Sequence, residues 1–308
     1  MKEFELIEHL TRSLPSNPSV VTGPGDDCAV LDLGVPNHLI LFKTDAVVEG
    51  IHFEKTTPPE KVGHKALGRC LSDIAAMAGT PTAALITLAL SPALDPNYLD
   101  RLYCGLNELA SRHGVAIVGG ETTTNPERLL VSISLLGRVA RGQALLRSGA
   151  KAGDAIFVTG ELGGSRAGKH LEFEPRLSEA RWLAQNFQIH SMIDLSDGLA
   201  GDLPHVLNAS GAGAELLASA IPISREARRA AKASAKPGLL AALTDGEDFE
   251  LLFTLAACDA VPLLDAWHKQ YPHTVLSCIG KIASTKGISI RDKHGLRPLT
   301  VHGYQHFA

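Results

Sequence analysis

The spacing of apolar and polar residues predicts helices and strands throughout the first half of the chain. Apolar positions at helical spacing alternate with short apolar runs that have the length of buried strands. Proline and glycine mark several boundaries: Pro58-Pro59 opens one helical pattern, Gly79 ends it, and Gly114 closes another. The predicted helices are 4–14, 58–78 and 95–113, and the predicted strands are 28–31, 39–44, 84–90, 115–118 and 129–139.

The second half repeats this mixture after a polar, Gly- and Ala-rich stretch at 138–153. The predicted strands are 154–159, 191–194, 214–217, 249–255 and 276–279, with helices starting at Ser165 and covering 198–210 and 226–236. Helices mixed with strands on both sides of a junction indicate an α+β or α/β protein. The two halves fit either one α+β architecture or two domains, which would be 1–140 and 141–308.

Composition excludes several classes of protein. The net charge of −4 lacks the basic excess of a dedicated nucleic-acid-binding protein. No apolar run approaches the roughly 20 residues of a membrane helix, and the first residues show no signal-peptide core. The five cysteines form no C-x-x-C pair, so neither a zinc ribbon nor a disulfide framework is indicated. We expect a cytoplasmic protein without nucleic-acid or membrane partners.

Short acidic turns are the most informative chemical feature. Most of them lie beside glycine and next to an apolar strand, a position where α/β folds gather ligand sites. Carboxylate oxygens are the protein ligands that Mg²⁺ prefers, usually together with substrate phosphates. Any single pair could equally be a solvated turn or a helix cap. The turns are Asp26-Asp27, Thr44-Asp45, Asp73, Glu121, Asp194 with Asp197, and Asp245-Gly246-Glu247-Asp248.

Asp73 is the sharpest individual candidate. At about 100° per residue, the helix places Asp73 in the same arc as Ala66, Cys70 and Met77, within the buried face. A lone buried carboxylate costs several kcal/mol unless it is protonated or paired. Metal ligation is therefore favoured over a neutral core aspartate.

Glycine-rich segments suggest phosphate contacts of differing strength. The run from Gly163 to Lys169 has a G-x4-G-K skeleton, but His170 stands where a P-loop requires Ser or Thr, so a true P-loop is disfavoured. Lys169 could reach phosphate or lie on the surface, and the sequence favours the surface. Gly119-Gly120-Glu121 permits close backbone approach to phosphate, and Arg147 offers a guanidinium. Together with the acidic turns, these features point to phosphoryl transfer or another ATP-dependent reaction.

The ordered set of motifs resembles the thiamine-monophosphate kinase family of the aminoimidazole-ribonucleotide-synthetase-like superfamily. The motifs follow the family order over nearly the whole chain. They are Gly25–Val30, Thr44-Asp45, Gly50–Phe53, Lys65–Leu67, Leu71–Met77, Gly119–Thr123, Arg147–Ala150, Asp194–Leu199, Gly246–Leu251 and Gly303–Phe307.

The resemblance implies a two-domain fold, with an N-terminal sheet domain that binds ATP and Mg²⁺ and a C-terminal α/β domain that completes the site. It also implies a homodimer whose N-terminal sheets join. The implied metal ligands are Asp27, Thr44, Asp45, Asp73, Glu121, Asp194 and Asp197. The implied nucleotide contacts are Tyr103, Gly120, Glu121, Arg147 and Ser196. The implied contacts to thiamine phosphate are His52, Glu247 and Tyr304. Glu121 departs from the aspartate usual in the family but keeps its charge.

The reaction implied by the resemblance is ATP plus thiamine phosphate giving ADP plus thiamine diphosphate. The acceptor is already an anionic phosphate, so no catalytic base is required, and several Mg²⁺ ions can offset the repulsion between the substrates. We therefore expect direct in-line transfer without a phosphoenzyme. The alternatives are another ATP-using enzyme of the superfamily, such as selenophosphate synthetase, or a non-catalytic nucleotide-binding homologue.

Overall fold

The computed structural model describes residues 3–233 and 236–304, and its first half is built on a six-stranded sheet. The sheet order is β1-β2-β3-β6-β4-β5. Neighbouring strands are antiparallel except for the parallel pair of β4 and β5. The strands are β1 (Val20–Thr22), β2 (Ala29–Leu31), β3 (His38–Val48), β4 (Thr80–Leu90), β5 (Ala116–Thr124) and β6 (Leu130–Ala140).

The second half contains a seven-stranded mixed sheet in the order β13-β12-β9-β11-β7-β10-β8. Its only parallel pair among the described strands is β12 with β9. The strands are β7 (Ala155–Thr159), β8 (Ile189–Asp194), β9 (Gly213–Leu217), β10 (Leu251–Leu255), β11 (Leu276–Ala283), β12 (Gly287–Asp292) and β13 (Gly295–Pro298). Every residue of β7 and β10 is buried, as expected for central strands covered on both faces.

Helices cover both sheets. They are α1 (Glu3–Thr11), α2 (Pro59–Ala76), α3 (Pro96–His113), α4 (Lys169–Glu172), α5 (Leu177–Asn186), α6 (Leu199–Ser210), α7 (Arg225–Ala233), α8 (Gly238–Thr244) and α9 (Ala260–Gln270). The boundaries of α3 follow directly from its end residues. The Asp95 side chain caps the first turn by accepting from the Asn97 amide, and Gly114 closes the helix at φ +67°.

Helix α2 lies between the two halves and contacts β3, β6, α3, α5 and β8. Two glycines let α2 and α3 touch backbone to backbone. A methyl group on Gly63 would lie 2.0 Å from the Leu102 carbonyl oxygen, and one on Gly105 would lie 1.9 Å from that of Glu60. One apolar cluster runs from α2 into the second sheet through Phe157 and Phe253, so the halves share part of their core.

The two-domain α/β architecture was predicted, but several elements differ. Where one helix was expected from Ser165, the chain forms a 3-10 turn at Ser165–Ala167, then α4 and α5. Glycines at 163, 164 and 168, all with positive φ, interrupt any regular helix there. The strands β1, β12 and β13 and the helices α8 and α9 were not predicted. Among the described residues, no helix is both long and apolar enough to span a bilayer.

Candidate active site

Three buried aspartates from distant parts of the chain meet between the halves. Asp27 precedes β2, Asp73 lies in α2, and Asp194 ends β8, and each has a carboxylate oxygen within 4.8 Å of the others. We call Asp27, Asp73 and Asp194 the acidic centre. Because α2 packs on β3 and β8 together, the fold brings carboxylates 167 residues apart to one point.

The three carboxylates of the acidic centre have fewer hydrogen-bond donors around them than they could accept. Arg147 donates from Nε and an η-nitrogen to Asp27 Oδ1, at 3.1 and 2.5 Å. Asp27 Oδ2 is buried, and no donor of the described residues lies within hydrogen-bond distance of it. Burial, followed by the charge of Asp27, raises the pKa of Asp194 to about 6 although Ser72 Oγ donates to it at 2.6 Å. Burial also raises the pKa of Asp73 well above its usual range.

This donor set fits a hard divalent cation. All three groups offer oxygen, they converge within 4.8 Å, and Asp27 Oδ2 has unused acceptor capacity in a buried place. A buried acceptor without a protein donor retains the capacity to bind a cation. Asp27, Asp73 and Asp194 are therefore the residues able to hold Mg²⁺.

Two cationic side chains border the acidic centre on the β3 side. Lys43 Nζ lies 2.9 Å from Asp73 Oδ1 and 3.7 Å from Asp45 Oδ2, and Arg69 lies 3.8 Å from Asp45 Oδ1. Burial opposes the charge on Lys43, but Asp73 and Asp45 outweigh it and raise the pKa of Lys43 well above normal. Burial likewise opposes the charge of Asp45, yet Lys43 and Arg69 hold its pKa below normal.

The structure does not bring the side chains of Thr44 and Glu121 to the acidic centre. Asp45 pairs across the sheet with Ile133, which is buried under α2, so the preceding Thr44 lies on the opposite, open face. There its hydroxyl lies 3.5 Å from the hydroxyls of Ser132 and Ser134. Glu121 is exposed in β5 and shares this open face through its pairing with Thr87, the partner of Ser132.

Three more predicted nucleotide contacts, Gly120, Tyr103 and Arg147, lie in separate parts of the chain. Gly120 lies in β5, which ends the sheet, so that no further described strand covers its outer edge. Tyr103 lies on α3, partly buried against the apolar core. Arg147 is held on Asp27, and its backbone amide donates at 3.3 Å to both carboxylate oxygens of Asp26. Of this group, only Arg147 contacts the acidic centre.

The loop after β8 connects the acidic centre with the end of the chain. The Ser196 carbonyl accepts from the Glu247 amide at 2.7 Å, and the Asp197 carbonyl accepts from the Tyr304 amide at 2.9 Å. The Asp197 amide in turn donates at 3.0 Å to Asp202, a buried carboxylate. These bonds fix Ser196 and Asp197 next to two of the residues expected to bind substrate.

A cleft of about 460 Å³ opens beside this loop. All three side chains predicted to contact substrate line it, together with Ser196, Asp197 and two arginines. Its lining is Ile51, His52, Arg69, Arg166, Ser196, Asp197, Asp245, Glu247, Phe249 and Tyr304. The cleft thus combines apolar and aromatic surface with charges of both signs.

A fully buried lysine holds Glu247 at the cleft. Lys65 Nζ lies 2.6 Å from Glu247 Oε1, 2.6 Å from the His52 carbonyl oxygen and 2.8 Å from His170 Nδ1. Burial would raise the pKa of Glu247, but the hydrogen bond from His170 and the charge of Lys65 lower it to about 2. Burial lowers the pKa of Lys65 to about 8. Glu247 therefore presents an ionised carboxylate to the cleft.

The backbone around Glu247 is strained. Glu247 and Phe249 adopt φ of +56° and +50°, values that side-chain-bearing residues rarely take. The Phe249 ring stacks on Phe173, with centroids 4.0 Å apart, and Phe173 in turn covers Gly68 of α2. Strain of this kind persists only where packing enforces it, and it clusters at functional sites.

Two further carboxylates of this loop are saturated by protein donors. Glu250 accepts from Arg176 at 2.7 and 2.9 Å, from Lys169 at 2.8 Å and from Thr159 at 2.7 Å. Asp248 accepts from the Gly163 amide and the Ser165 hydroxyl. We call Glu247, Asp248 and Glu250 the paired loop. The amides and the lysine of the G-x4-G-K segment thus bind carboxylates of the chain itself.

Sequence reasoning missed several charged residues of this region. One signal was available, since Lys65, Arg69 and Asp73 recur every four residues and so share the face of α2 that packs inward. The others have partners too distant in sequence to be recognised by spacing. The missed residues are Lys43, Lys65, Arg69, Arg166, His170 and Asp202.

Family models describe both halves of the chain. Residues 25–139 match the AIR synthase related protein N-terminal domain, and residues 151–268 match the corresponding C-terminal domain. Curated relatives include the thiamine-monophosphate kinase of Rhodopirellula baltica, 40% identical over 90% of this chain and 87% of that protein. The thiamine-monophosphate kinase of Escherichia coli K12 is 36% identical over 99% and 98% of the two chains.

Solved structures agree with these relatives. AaThiL complexed with AMPPCP and TMP superimposes with a TM-score of 0.84 at 29% identity, covering 99% of this chain and 97% of that chain. The thiamine-monophosphate kinase of Stenotrophomonas maltophilia K279a gives a TM-score of 0.75 at 30% identity, covering 94% and 96%. The two-domain fold is therefore common to this chain and its relatives.

Proposed function

The chain belongs to the thiamine-monophosphate kinase family, a family of phosphotransferases, and from this we propose that it transfers the γ-phosphoryl group of ATP to thiamine phosphate. The products are ADP and thiamine diphosphate. One observation carries the proposal: the loop after β8 joins the acidic centre to the cleft. The acidic centre contains a buried oxygen without a donor, and the cleft offers aromatic surface and the ionised carboxylate of Glu247.

The lining of the cleft suits both ends of thiamine phosphate. The carboxylate of Glu247 and the rings of Phe249 and Tyr304 complement a cationic heteroaromatic ring. Arg69 and Arg166 carry guanidinium groups whose geometry matches phosphate oxygens. We assign His52, Glu247 and Tyr304 to substrate binding, and Arg147, Ser196, Gly120 and Tyr103 to the nucleotide.

Direct in-line transfer follows from the chemistry of the acceptor. A phosphate oxygen is already anionic at neutral pH, so no side chain has to remove a proton from it. We propose that Asp27, Asp73 and Asp194 hold Mg²⁺, together with Asp45 and Asp197, and that Thr44 and Glu121, whose side chains lie on the other sheet face, are not part of this metal site. Bound Mg²⁺ supplies charge neutralisation between the two polyanions and alignment of the γ-phosphate. No phosphoenzyme is formed.

A homodimer and a cytoplasmic location are part of the same proposal. Strand β5 ends its sheet, and the open face and edge of that sheet expose Phe42, Leu85, Val118 and Leu136, each at least 39% accessible. Exposed apolar surface of this kind is typical of an interface. All five cysteines are free thiols, the state maintained in the cytosol.

The test is a turnover assay with ATP, Mg²⁺ and thiamine phosphate, in which ADP and thiamine diphosphate are both measured. We expect equal amounts of the two products and no product when Mg²⁺ is chelated. ATP binding without thiamine diphosphate would support a non-catalytic homologue instead. With γ-labelled ATP and no acceptor, we expect no label on the protein, and a labelled protein would contradict direct transfer.

A further inference from the structure

Lys43 is a charged residue in a row of buried apolar positions. Alternation along β3 places Leu41, Lys43, Asp45 and Val47 on the face that packs toward α2, and Leu41 and Val47 are almost fully buried. Across the sheet, Lys43 pairs with the buried Leu135. A lysine in this row requires anionic partners to stay charged.

Those partners are two carboxylates expected to hold metal. Lys43 Nζ makes a charge-assisted hydrogen bond of 2.9 Å to Asp73 Oδ1 and lies 3.7 Å from Asp45 Oδ2. The ammonium group therefore lies between Asp45 and Asp73, where one cation could contact both carboxylates.

The other carboxylate oxygens of the acidic centre differ in whether a protein donor contacts them. Arg147 satisfies Asp27 Oδ1 and Ser72 satisfies Asp194 Oδ2, whereas Asp27 Oδ2 has no described donor. The oxygen without a donor therefore belongs to Asp27. The carboxylates of Asp45 and Asp73, in contrast, are already partnered by Lys43. The centre has one side open to an ion and one side occupied by a side chain.

We propose that Lys43 acts as a tethered cation that replaces a divalent ion between Asp45 and Asp73, so that the centre binds one divalent ion fewer than its carboxylates could hold. The inference rests on the proposed function, which makes Mg²⁺ the divalent ion. Mg²⁺ binds oxygen at about 2 Å, so an ion shared by Asp45 and Asp73 would lie within contact of the ammonium group and be repelled by it. Both cannot be present together.

The test counts Mn²⁺, an EPR-visible substitute for Mg²⁺, bound to the full-length protein without substrates. In Lys43→Met, which removes the charge but keeps much of the length, we expect one additional Mn²⁺ per chain, or a weak site tightened at least about tenfold by the loss of one nearby charge. Lys43→Arg keeps the charge and should match the unaltered protein. Lys61→Met removes a partly exposed lysine paired with Glu172 and serves as the control.

Thermal unfolding gives a second, independent measurement. Metal-free Lys43→Met should melt below the unaltered protein, because Asp73 loses its ammonium partner and Asp45 keeps only Arg69, and should gain more from saturating Mn²⁺. An unchanged or lower number and affinity of Mn²⁺ sites in Lys43→Met, or a metal-free melting temperature that does not fall, would overturn the inference. If the unaltered protein bound Mn²⁺ but made no thiamine diphosphate, the proposed function would fail while the count of Mn²⁺ sites could still be read.

Discussion

The acidic centre and the paired loop each contain three carboxylates, but they differ in how many hydrogen-bond donors and cations contact those carboxylates. In the acidic centre, Asp27 Oδ2 lacks a donor, and the pKa of Asp194 rises to about 6 because of burial and the nearby charge of Asp27. In the paired loop, Lys169 and Arg176 outweigh burial and lower the pKa of Glu250 to about 2, although burial raises the pKa of Asp248 to about 6 despite its hydrogen bonds.

A cluster of carboxylates therefore does not by itself mark a metal site. The number of hydrogen-bond donors and cationic side chains around the carboxylates decides whether they can take up a metal ion. The paired loop is neutralised by lysine, arginine, histidine and backbone amides and needs no ion for stability. The acidic centre has three carboxylates but only Lys43 and Arg147 as cationic partners, and a bound cation would relieve the remaining negative charge. The first arrangement holds the fold and orients Glu247, and the second is available for chemistry.

The largest expected effect comes from removing one charge of the acidic centre. Asp194→Asn keeps the shape of the side chain, and we expect kcat/KM to fall about 10³- to 10⁴-fold, since metal-assisted charge stabilisation contributes several kcal/mol to the barrier. The melting temperature in EDTA should not fall, because the repulsion by Asp27 is lost as well. Asp32→Asn, at a surface pair with Arg141, is the control and should keep full turnover. Activity within tenfold of normal would remove Asp194 from the metal site.

The second-largest effect is expected on stability, from a substitution that breaks the ion pairs of the paired loop. Glu250→Gln leaves Arg176 and Lys169 without their buried counter-charge, and we expect a loss of about 3–5 kcal/mol in the free energy of unfolding, measured with urea. Glu172→Gln, which breaks the exposed pair with Lys61, should cost less than about 1 kcal/mol. Equal losses in the two variants would mean that burial of the pair has no influence.

Divalent ions should separate the two regions directly. At about 100 times its dissociation constant, Mg²⁺ should stabilise the unaltered protein by about 2.7 kcal/mol, because only the folded state holds the site. Thermal unfolding with and without Mg²⁺ measures this shift. Asp194→Asn should lose most of it, and Glu172→Gln should retain it. A shift that survives in Asp194→Asn would place the ion elsewhere.

Acid should remove the contribution of Glu250 to stability over a defined pH range. The folded pKa of Glu250 is about 2 and its usual value is 4.5, so its contribution is present above pH 4.5 and is lost as the pH falls toward 2. Between pH 5 and pH 3 the loss is at most about 2 kcal/mol for this group. Denaturant unfolding across this range should show a shallower dependence in Glu250→Gln. Parallel curves would contradict the low pKa.

The sequence allowed the elements with strong local signals to be predicted. Helix α2 is apolar at helical spacing and bounded by proline and glycine, and this placed Asp73 on the buried face where the structure has it. Gly114 likewise predicted the end of α3 by its capping chemistry, and the structure has it there. The order of motifs identified the family and with it the two-domain architecture.

Pairings between distant residues could not be predicted in this way. The sequence near Lys65 does not show that it contacts Glu247. Likewise, nothing near Lys169 shows that it forms an ion pair with Glu250. Thr44 illustrates a different limit, since its sequence neighbour Asp45 faces α2 while Thr44 itself lies on the open face. Only the sheet register reveals which of two adjacent polar residues faces the acidic centre.

The contact of α2 with α3 through Gly63 and Gly105 has a consequence for substrate length. Helix α2 carries Lys65, which anchors Glu247 at the cleft, and Asp73, which belongs to the acidic centre, eight residues apart. A helix rises 1.5 Å per residue, so these two positions are about 12 Å apart along its axis. Because backbone contact with α3 stiffens this segment, α2 holds Lys65 and Asp73 at a fixed interval. If the acceptor binds as proposed, with its ring at Glu247 and its phosphate at the acidic centre, a shorter or longer molecule is expected to place its phosphate off the acidic centre.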